Sequence, residues 1–172
     1  AVTIIMYILM FASSLYTGYS YGVAPMISYY YGEQNHEKLK MLVRISLKVI
    51  AAVSVLTVFL SLLLTEPLVS VFAHPDDPVY GLAVTGNRLC TAALFFIGFN
   101  IFSSGMFTAL SNGVVSAVLA FSRSFVFMLA AMIVLPLLLG VNGIWLATPA
   151  AELMALVLSG RMFWKYRERY GY

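Results

Sequence analysis

Five long apolar segments, separated by short turns, limit this chain to a membrane fold. About 20 apolar residues in an α-helix cross a lipid hydrocarbon core. An average soluble domain carries about 25% charged residues, whereas only 10% of these 172 residues are charged and 62% are hydrophobic. A soluble core of this size could not bury so much apolar surface. We therefore predict an all-α, polytopic transmembrane helix bundle, whose five transmembrane helices cover residues 2–31, 41–64, 86–110, 114–139 and 143–164.

The connections between these segments contain helix-breaking and helix-capping residues. Gly32 is predicted to end the first helix, because glycine accepts a positive φ at little cost. Asn35 then suits the N-cap of the second helix. The longest connection, "EPLVSVFAHPDDPVYG", is too apolar for a plain linker. Its "PLVSVFA" part is predicted to form a short helix at the membrane interface.

Basic residues are concentrated in two clusters, and this distribution predicts the topology. The connection between the second and third segments holds acidic residues but no Lys or Arg. Because basic residues flank the cytoplasmic ends of membrane helices, the first connection and the C-terminus are predicted to be cytoplasmic and the start of the chain to lie outside. We expect a multi-pass protein of the plasma membrane, embedded in the lipid bilayer, with no nucleic-acid partner. The clusters are Lys38, Lys40, Arg44 and Lys48, and Arg161, Lys165, Arg167 and Arg169.

Two charged residues lie deep within predicted helices. Arg123 stands in "VLAFSRSFVFML" and Glu152 in "TPAAELMALVL". Charged side chains inside a bilayer are costly and indicate function by default. Arg123 is either a ligand contact or a structural cation that Glu152 or helix carbonyls neutralise. Glu152 is either a protonatable coupling group or a fixed partner of Arg123, and both alternatives stay open at this point.

Three further residues are candidates for a central cavity or for its motion. Asn100 begins a polar stripe in "FFIGFNIFSSGMFTAL", and such stripes either line cavities or join helices. Phe96 in the same segment offers an aromatic face to flat hydrophobic cations. Pro25 is a hinge candidate, because transporters place interrupted helices where they line a cavity. The sequence contains no enzyme or metal-ligand motif, so we predict neither an enzyme nor a cofactor or metal site.

Several motifs resemble one known family over essentially the whole chain. "GVAPMISYYYGEQNHEKLK" is similar to the glycine-rich helix and basic helix start in the C-terminal half of the MATE (multidrug and toxic compound extrusion) family. "FFIGFNIFSSGMFTALSNG", "AFSRSFVFM" and "LPLLLGVNGIWLATPAAELMAL" resemble the family's last three helices in order. Two positions depart from the pattern: Tyr30 replaces a usual Asn, and Glu33 replaces a usual small residue.

This resemblance implies a fold position and a transport function. Residues 1–172 are expected to form most of the C-terminal lobe, as helices eight to twelve of a twelve-helix transporter whose N-terminal lobe belongs to the same polypeptide. The family implies secondary active multidrug efflux, in which cationic amphipathic drugs or toxins leave by antiport with sodium ions or protons through alternating access. Phe96, Asn100, Arg123 and Glu152 are then expected to face or support the central cavity. The coupling ion stays open, because the segment that resembles helix ten has neither Asp nor Glu.

Two other functions compete with multidrug export. A flippase of lipid-linked oligosaccharides shares the broad architecture, but its pyrophosphate substrate needs several basic residues inside the membrane, and one deep Arg is present. A non-transporting membrane scaffold has no need for a buried Arg and Glu or for helices interrupted by proline.

Overall fold

The chain is helical along most of its length in a computed structural model, which describes residues 2–172 except for the side chains of residues 2 and 4. The described residues form no β-strand, which confirms the predicted all-α class. A 3₁₀ turn, Thr91–Ala93, joins α4 to α5, and a π-helical turn, Ser122–Phe127, joins α6 to α7. The helices are α1 (Val2–Gly32), α2 (His36–Leu63), α3 (Thr65–Ser70), α4 (Pro78–Cys90), α5 (Leu94–Ala109), α6 (Gly113–Phe121), α7 (Met128–Leu139) and α8 (Val141–Tyr170).

The described residues form six continuous helical segments, one more than the five predicted transmembrane helices. The additional segment is α3, which lies in the connection where the sequence predicts a short helix. Its Val69 is fully buried and packs in a small apolar cluster with Ala83 of α4. The third long helix also begins at Pro78 rather than near residue 86, because proline at the first turn of a helix has its φ preset and lacks only an unneeded N–H.

Four helical segments of the described residues are long and apolar enough to cross a membrane. They are His36–Leu63, Pro78–Ala109, Gly113–Leu139 and Val141–Tyr170. Helix α1 is 31 residues long, and its crossing of the membrane stays a prediction. The fold is therefore a helical membrane bundle.

The turn between α1 and α2 differs from the sequence-based expectation at one residue. Helix α1 ends at Gly32 as predicted, but the positive φ, 54°, occurs at Gln34. Glycine at position 32 is therefore not used for left-handed backbone, because the left-handed residue of this turn stands two positions later. The second helix is capped as predicted, since the Asn35 side chain accepts a hydrogen bond from Lys38 N at 3.2 Å.

Helix α5 lies at the centre of the bundle. It packs against α1, α2, α6 and α8. Phe107 shows how closely these helices interlock, because its ring is fully buried and meets the rings of Phe163 and Tyr166 on α8 at centroid distances of 5.8 and 5.7 Å. Two polar residues of α5, Asn100 and Ser103, are likewise buried.

Both basic clusters lie at the same end of the bundle. His36 Nδ1, at the start of α2, is 3.2 Å from the main-chain oxygen of Tyr170 at the end of α8. Asn112 Nδ2, in the turn between α5 and α6, donates to the Tyr170 hydroxyl at 2.9 Å. Burial against this end raises the pKa of the Tyr172 hydroxyl above its ordinary value. The predicted topology places the first connection and the C-terminal tail on the same side of the membrane. Their position at one end of the bundle agrees with that prediction.

Candidate functional site

Arg123 and Glu152 form an ion pair inside the bundle. Arg123 Nη1 lies 3.6 Å from Glu152 Oε1, and the two side chains are only 26% and 12% exposed. They meet because α8 packs directly against the π-helical turn that carries Arg123. Either charge alone in this setting would carry a large desolvation penalty, which the opposite charge offsets. The structure thus makes Glu152 the partner of Arg123, while a coupling role for Glu152 stays a prediction.

Asn100 completes this group from helix α5. Its Nδ2 donates to Glu152 Oε2 at 2.7 Å and to the Glu152 main-chain oxygen at 2.9 Å. These contacts use both amide N–H groups and fix the orientation of the side chain. Asn100 Oδ1, by contrast, is the single buried side-chain N or O atom in the described residues that has no hydrogen-bond partner. We call Asn100, Arg123 and Glu152 the interior triad.

The interior triad borders a polar cavity. The cavity has a volume of about 250 Å³ and lies between α1, α5 and the α6–π-turn segment. Asn100 and Arg123 form part of its wall, whereas Glu152 lies behind them on α8. The other polar residues of the wall are Thr17, Ser20, Tyr21, Ser104 and Thr108.

Two backbone features shape this cavity. Gly105 on α5 allows α1 to come close, because a Cβ at that position would overlap the Ser20 hydroxyl. Arg123 stands in the π-helical turn Ser122–Phe127, and π turns within α-helices are rare and frequent at functional sites. Both features therefore place polar groups at the interior surface of otherwise apolar helices.

The remaining predicted residues lie elsewhere. Phe96 is half-buried, one turn before Asn100, and it does not contribute to the cavity wall. Pro25 is exposed within α1, which continues past it to Gly32. The structure therefore brings Asn100, Arg123 and Glu152 together, and the cation contact of Phe96 and the hinge role of Pro25 stay predictions.

The sequence-based prediction missed the hydroxyl groups that lie on α1 and α6, whereas Ser104 of the cavity wall belongs to the predicted polar stripe of α5. Thr17 and Ser20 are three residues apart on α1 and therefore share a helix face. Ser116 of α6 orients two hydroxyls of the cavity wall, because its Oγ is 3.0 Å from Ser104 Oγ and 2.6 Å from Thr108 Oγ1. The spacing of Thr17 and Ser20 is a signal for a polar face, but the direction of that face depends on how α1 packs.

The arrangement is suited to reversible binding of polar or charged groups inside a membrane. Arg123 supplies guanidinium N–H donors, and the hydroxyls both donate and accept. A concave site with a few convergent polar groups in an apolar surround is typical of a small-molecule pocket.

The fold is that of solved MATE transporters. One is an outward-facing conformation of a multidrug resistance MATE family transporter of the MOP superfamily, at 21% identity and a TM-score of 0.86. Another is a MATE in complex with MaL6, at 20% identity and a TM-score of 0.87. Each comparison covers 97% of this chain, but only 38% and 39% of the solved chains. The chain thus spans well under half the length of the transporters that it resembles.

The family assignment rests on the sequence itself. No curated protein matches the chain. The MatE family model matches residues 1–134, which is more than half of the 172 residues and includes Asn100 and Arg123. On this match, the chain belongs to the MatE family.

Proposed function

We propose that this chain is part of a secondary active transporter that exports cationic amphipathic compounds. The observation that carries the proposal is the interior triad beside a polar cavity, at a depth where the surrounding helices are apolar. An ion pair in such a place costs stability unless it is well satisfied, so a charged pair at this position favours a role in function. Membership of the MatE family supports transport rather than enzyme activity.

Alternating access is the mechanism that we propose for this export. The chain spans 38–39% of the solved MATE transporters, so an N-terminal lobe of the same polypeptide is proposed to face this one across a central cavity. The two lobes would expose that cavity to each side of the membrane in turn. Sodium ions or protons supply the driving force by binding one conformation better than the other.

Glu152 is the residue that we propose for ion coupling. It is the acidic side chain of the interior triad, and its carboxylate contacts both Asn100 and Arg123. An arriving sodium ion or proton changes the charge balance of this group. The contacts with α5 and the π-helical turn then provide a route by which that change reaches the cavity wall.

The proposed orientation places both basic clusters in the cytoplasm and the start of the chain outside, in the plasma membrane. The shared position of the clusters at one end of the bundle supports it, together with the preference of basic residues for the cytoplasmic side.

Extrusion of a fluorescent cation by the complete polypeptide in vesicles tests the proposal. Sodium and proton gradients are imposed separately, and vesicles with equal ion concentrations on both sides serve as the control. Extrusion that one gradient drives supports the antiporter and identifies the ion. Failure under both gradients, with the protein folded and inserted, contradicts drug export and favours the lipid-linked oligosaccharide alternative.

A further inference from the structure

Helix α2 carries three basic residues, one helical turn apart, on its outer side. Lys40, Arg44 and Lys48 follow one another at intervals of four residues, and all three are exposed. Residues at this spacing form one stripe along an α-helix. The other side of α2 packs into the bundle, and its buried residues include Val43 and Ile50. We call Lys40, Arg44 and Lys48 the basic stripe.

Further along α2, the same side of the helix carries exposed apolar residues. Val55 and Phe59 follow Lys48 by seven and eleven residues, a spacing that keeps side chains on one helix face, and they are 59% and 60% exposed. Met41 and Ile45, next to the basic stripe, are also exposed. Because α2 is long and apolar enough to cross a membrane, this face is available to acyl chains. The basic stripe therefore lies in line with an apolar surface that suits lipid.

The length of α2 sets the depth of the basic stripe in the membrane. Residues 49–63, the uncharged part of the helix after Lys48, are about 22 Å long at 1.5 Å per residue. The hydrocarbon core of a bilayer is about 30 Å thick. Lys48 therefore stands at the edge of the hydrocarbon, from which its ammonium group extends to the headgroups. Lys40 is about 12 Å further out along the helix axis, so the basic stripe spans the headgroup layer.

The basic stripe has no counter-charge within the part of the chain that the structure describes. None of the ion pairs there includes one of its residues, and none of its cations lies over an aromatic ring. The acidic residue of α2, Glu37, stands in the first turn and pairs with none of them. The end of α8 differs, because Arg167 lies 4.0 Å from the centre of the Trp164 ring and Arg169 lies 5.9 Å from that of Tyr166.

From this arrangement we propose that the basic stripe binds an anionic phospholipid, in the leaflet on the side of the turn between α1 and α2. The phosphate and headgroup oxygens accept hydrogen bonds from Lys40, Arg44 and Lys48, and the acyl chains lie along Val55 and Phe59. A soluble acidic protein or a nucleic acid fits less well, because it does not reach Lys48 at the edge of the hydrocarbon. Lipid binding at this stripe goes beyond the proposed export function and does not depend on it.

Photo-crosslinking of the complete polypeptide in phosphatidylcholine vesicles tests this site. The vesicles contain a trace of either phosphatidylglycerol or phosphatidylcholine that bears the same diazirine on an acyl chain. Labelling of residues 36–63 is then measured by mass spectrometry after proteolysis. We expect phosphatidylglycerol to label this segment about tenfold more strongly, because each basic residue at a membrane surface favours an anionic lipid by roughly fivefold.

Two triple variants assign the preference to the basic stripe. The first replaces its three residues, as Lys40→Gln, Arg44→Gln and Lys48→Gln, and should bring the two labelling levels to within about twofold. In the second, the matched control, labelling of α2 should keep its preference. This control removes the same number of positive charges from the same end of the bundle: Lys165→Gln, Arg167→Gln and Arg169→Gln. Size-exclusion profiles establish that each variant is folded.

Four outcomes would contradict the lipid site. Equal labelling of the unchanged protein by both lipids overturns it, whether or not the variants fold. A folded basic-stripe variant that keeps the preference overturns it too, as does an equal loss in both triple variants, which would show that only the net charge of this end matters. Competition by glycerophosphoglycerol, the headgroup without its acyl chains, that matches competition by unlabelled phosphatidylglycerol excludes a lipid as the occupant. None of these readouts uses extrusion, so a failure of export leaves the lipid site standing.

Discussion

The interior triad and the place where α2, α3 and α4 meet contain the same kinds of side chain. They differ in which groups are hydrogen-bonded and in whether their charges are buried. Near α3, Asn87 is 2% exposed, and its Nδ2 donates to Thr65 Oγ1 at 3.1 Å and to Ser61 Oγ at 3.4 Å. Ser61 in turn lies 2.8 Å from the hydroxyl of Thr91. We call these four residues the α2–α4 cluster. Its hydroxyls and amide satisfy one another, and it contains no charge.

Each region also has an ion pair, and the two pairs differ in how exposed they are. Beside the α2–α4 cluster, Arg88 Nη2 lies 3.2 Å from Glu66 Oε1, and these side chains are 56% and 65% exposed. The Arg123–Glu152 pair is longer but much less exposed. One region therefore keeps its polar groups buried and its charges in contact with solvent or lipid headgroups. The interior triad buries its charges and leaves one acceptor, Asn100 Oδ1, without a hydrogen-bond partner among the described residues.

The largest expected effect is on stability, when one charge of the interior pair is removed. Arg123→Leu leaves the Glu152 carboxylate buried without its counter-charge, and we expect the free energy of unfolding to fall by about 3–5 kcal/mol. Replacing Glu152 by Leu in the same molecule should recover most of that loss, because no uncompensated charge then remains. Thermal unfolding of the complete polypeptide in detergent measures both. If the double variant is as unstable as Arg123→Leu, the loss comes from packing and not from charge.

Sequence reasoning predicted the helices better than their relative rotation. Apolar length and the Asn35 cap identify helices through local chemistry, and a short helix in the longest connection follows from its composition. The early start at Pro78 was missed, because "PDDPVYG" is polar enough to resemble a loop. The φ of Gln34 was missed because glycine, where present, is the usual left-handed residue.

The candidate site was predictable in its charged residues and in the polar stripe that Asn100 begins, but not in the hydroxyls of α1 and α6. Arg123 and Glu152 stand out because the hydrocarbon core penalises charge, and their pairing was one of the two alternatives. Asn100 stands out for a similar reason. Ser and Thr carry no such signal, since they are common in membrane helices, and whether they face lipid or a cavity depends on helix rotation. Asn100 donates both of its amide N–H groups to Glu152. This contact depends on how α5 packs against α8, so it could not be predicted from the spacing of residues along the chain.

A second variant compares the two buried asparagines. Asn87→Leu removes the donor that Ser61 and Thr65 share, and we expect a loss of about 1–3 kcal/mol in the free energy of unfolding, because buried hydroxyls are left with fewer partners. Export per folded molecule should stay unchanged, since this residue does not line the cavity. Thermal unfolding in detergent measures the loss of stability. Extrusion from vesicles, normalised to the amount of folded protein, measures export. A fall in normalised export would extend the functional region to the α2–α4 cluster.

Glu152→Gln separates the charge of the interior triad from its shape. Glutamine keeps the size and an acceptor for Asn100 but cannot take up a proton or compensate a cation. We expect ion-driven export to fall by about tenfold, equal to about 1.4 kcal/mol, with a smaller loss of insertion and folding. The readout is the extrusion rate over a range of pH and of sodium concentration, and Glu66→Gln is the exposed matched control. Normal export by the variant across both ranges would remove Glu152 from the coupling scheme.

The smallest effect is expected at the exposed pair, and it tests whether burial is what distinguishes the two regions. Arg88 and Glu66 approach more closely than Arg123 and Glu152 do, so distance alone predicts that Arg88→Ala is the more damaging change. Screening of charges at the surface predicts the reverse. Arg88→Ala should then lower the free energy of unfolding by only about 0–1 kcal/mol, and by less at high salt. Thermal unfolding of Arg88→Ala at low and high ionic strength decides between these. A loss as large as that of Arg123→Leu would mean that the environment of the Arg88–Glu66 pair is as dry as the interior. In that case the contrast between the two regions would rest on the unsatisfied Asn100 acceptor alone.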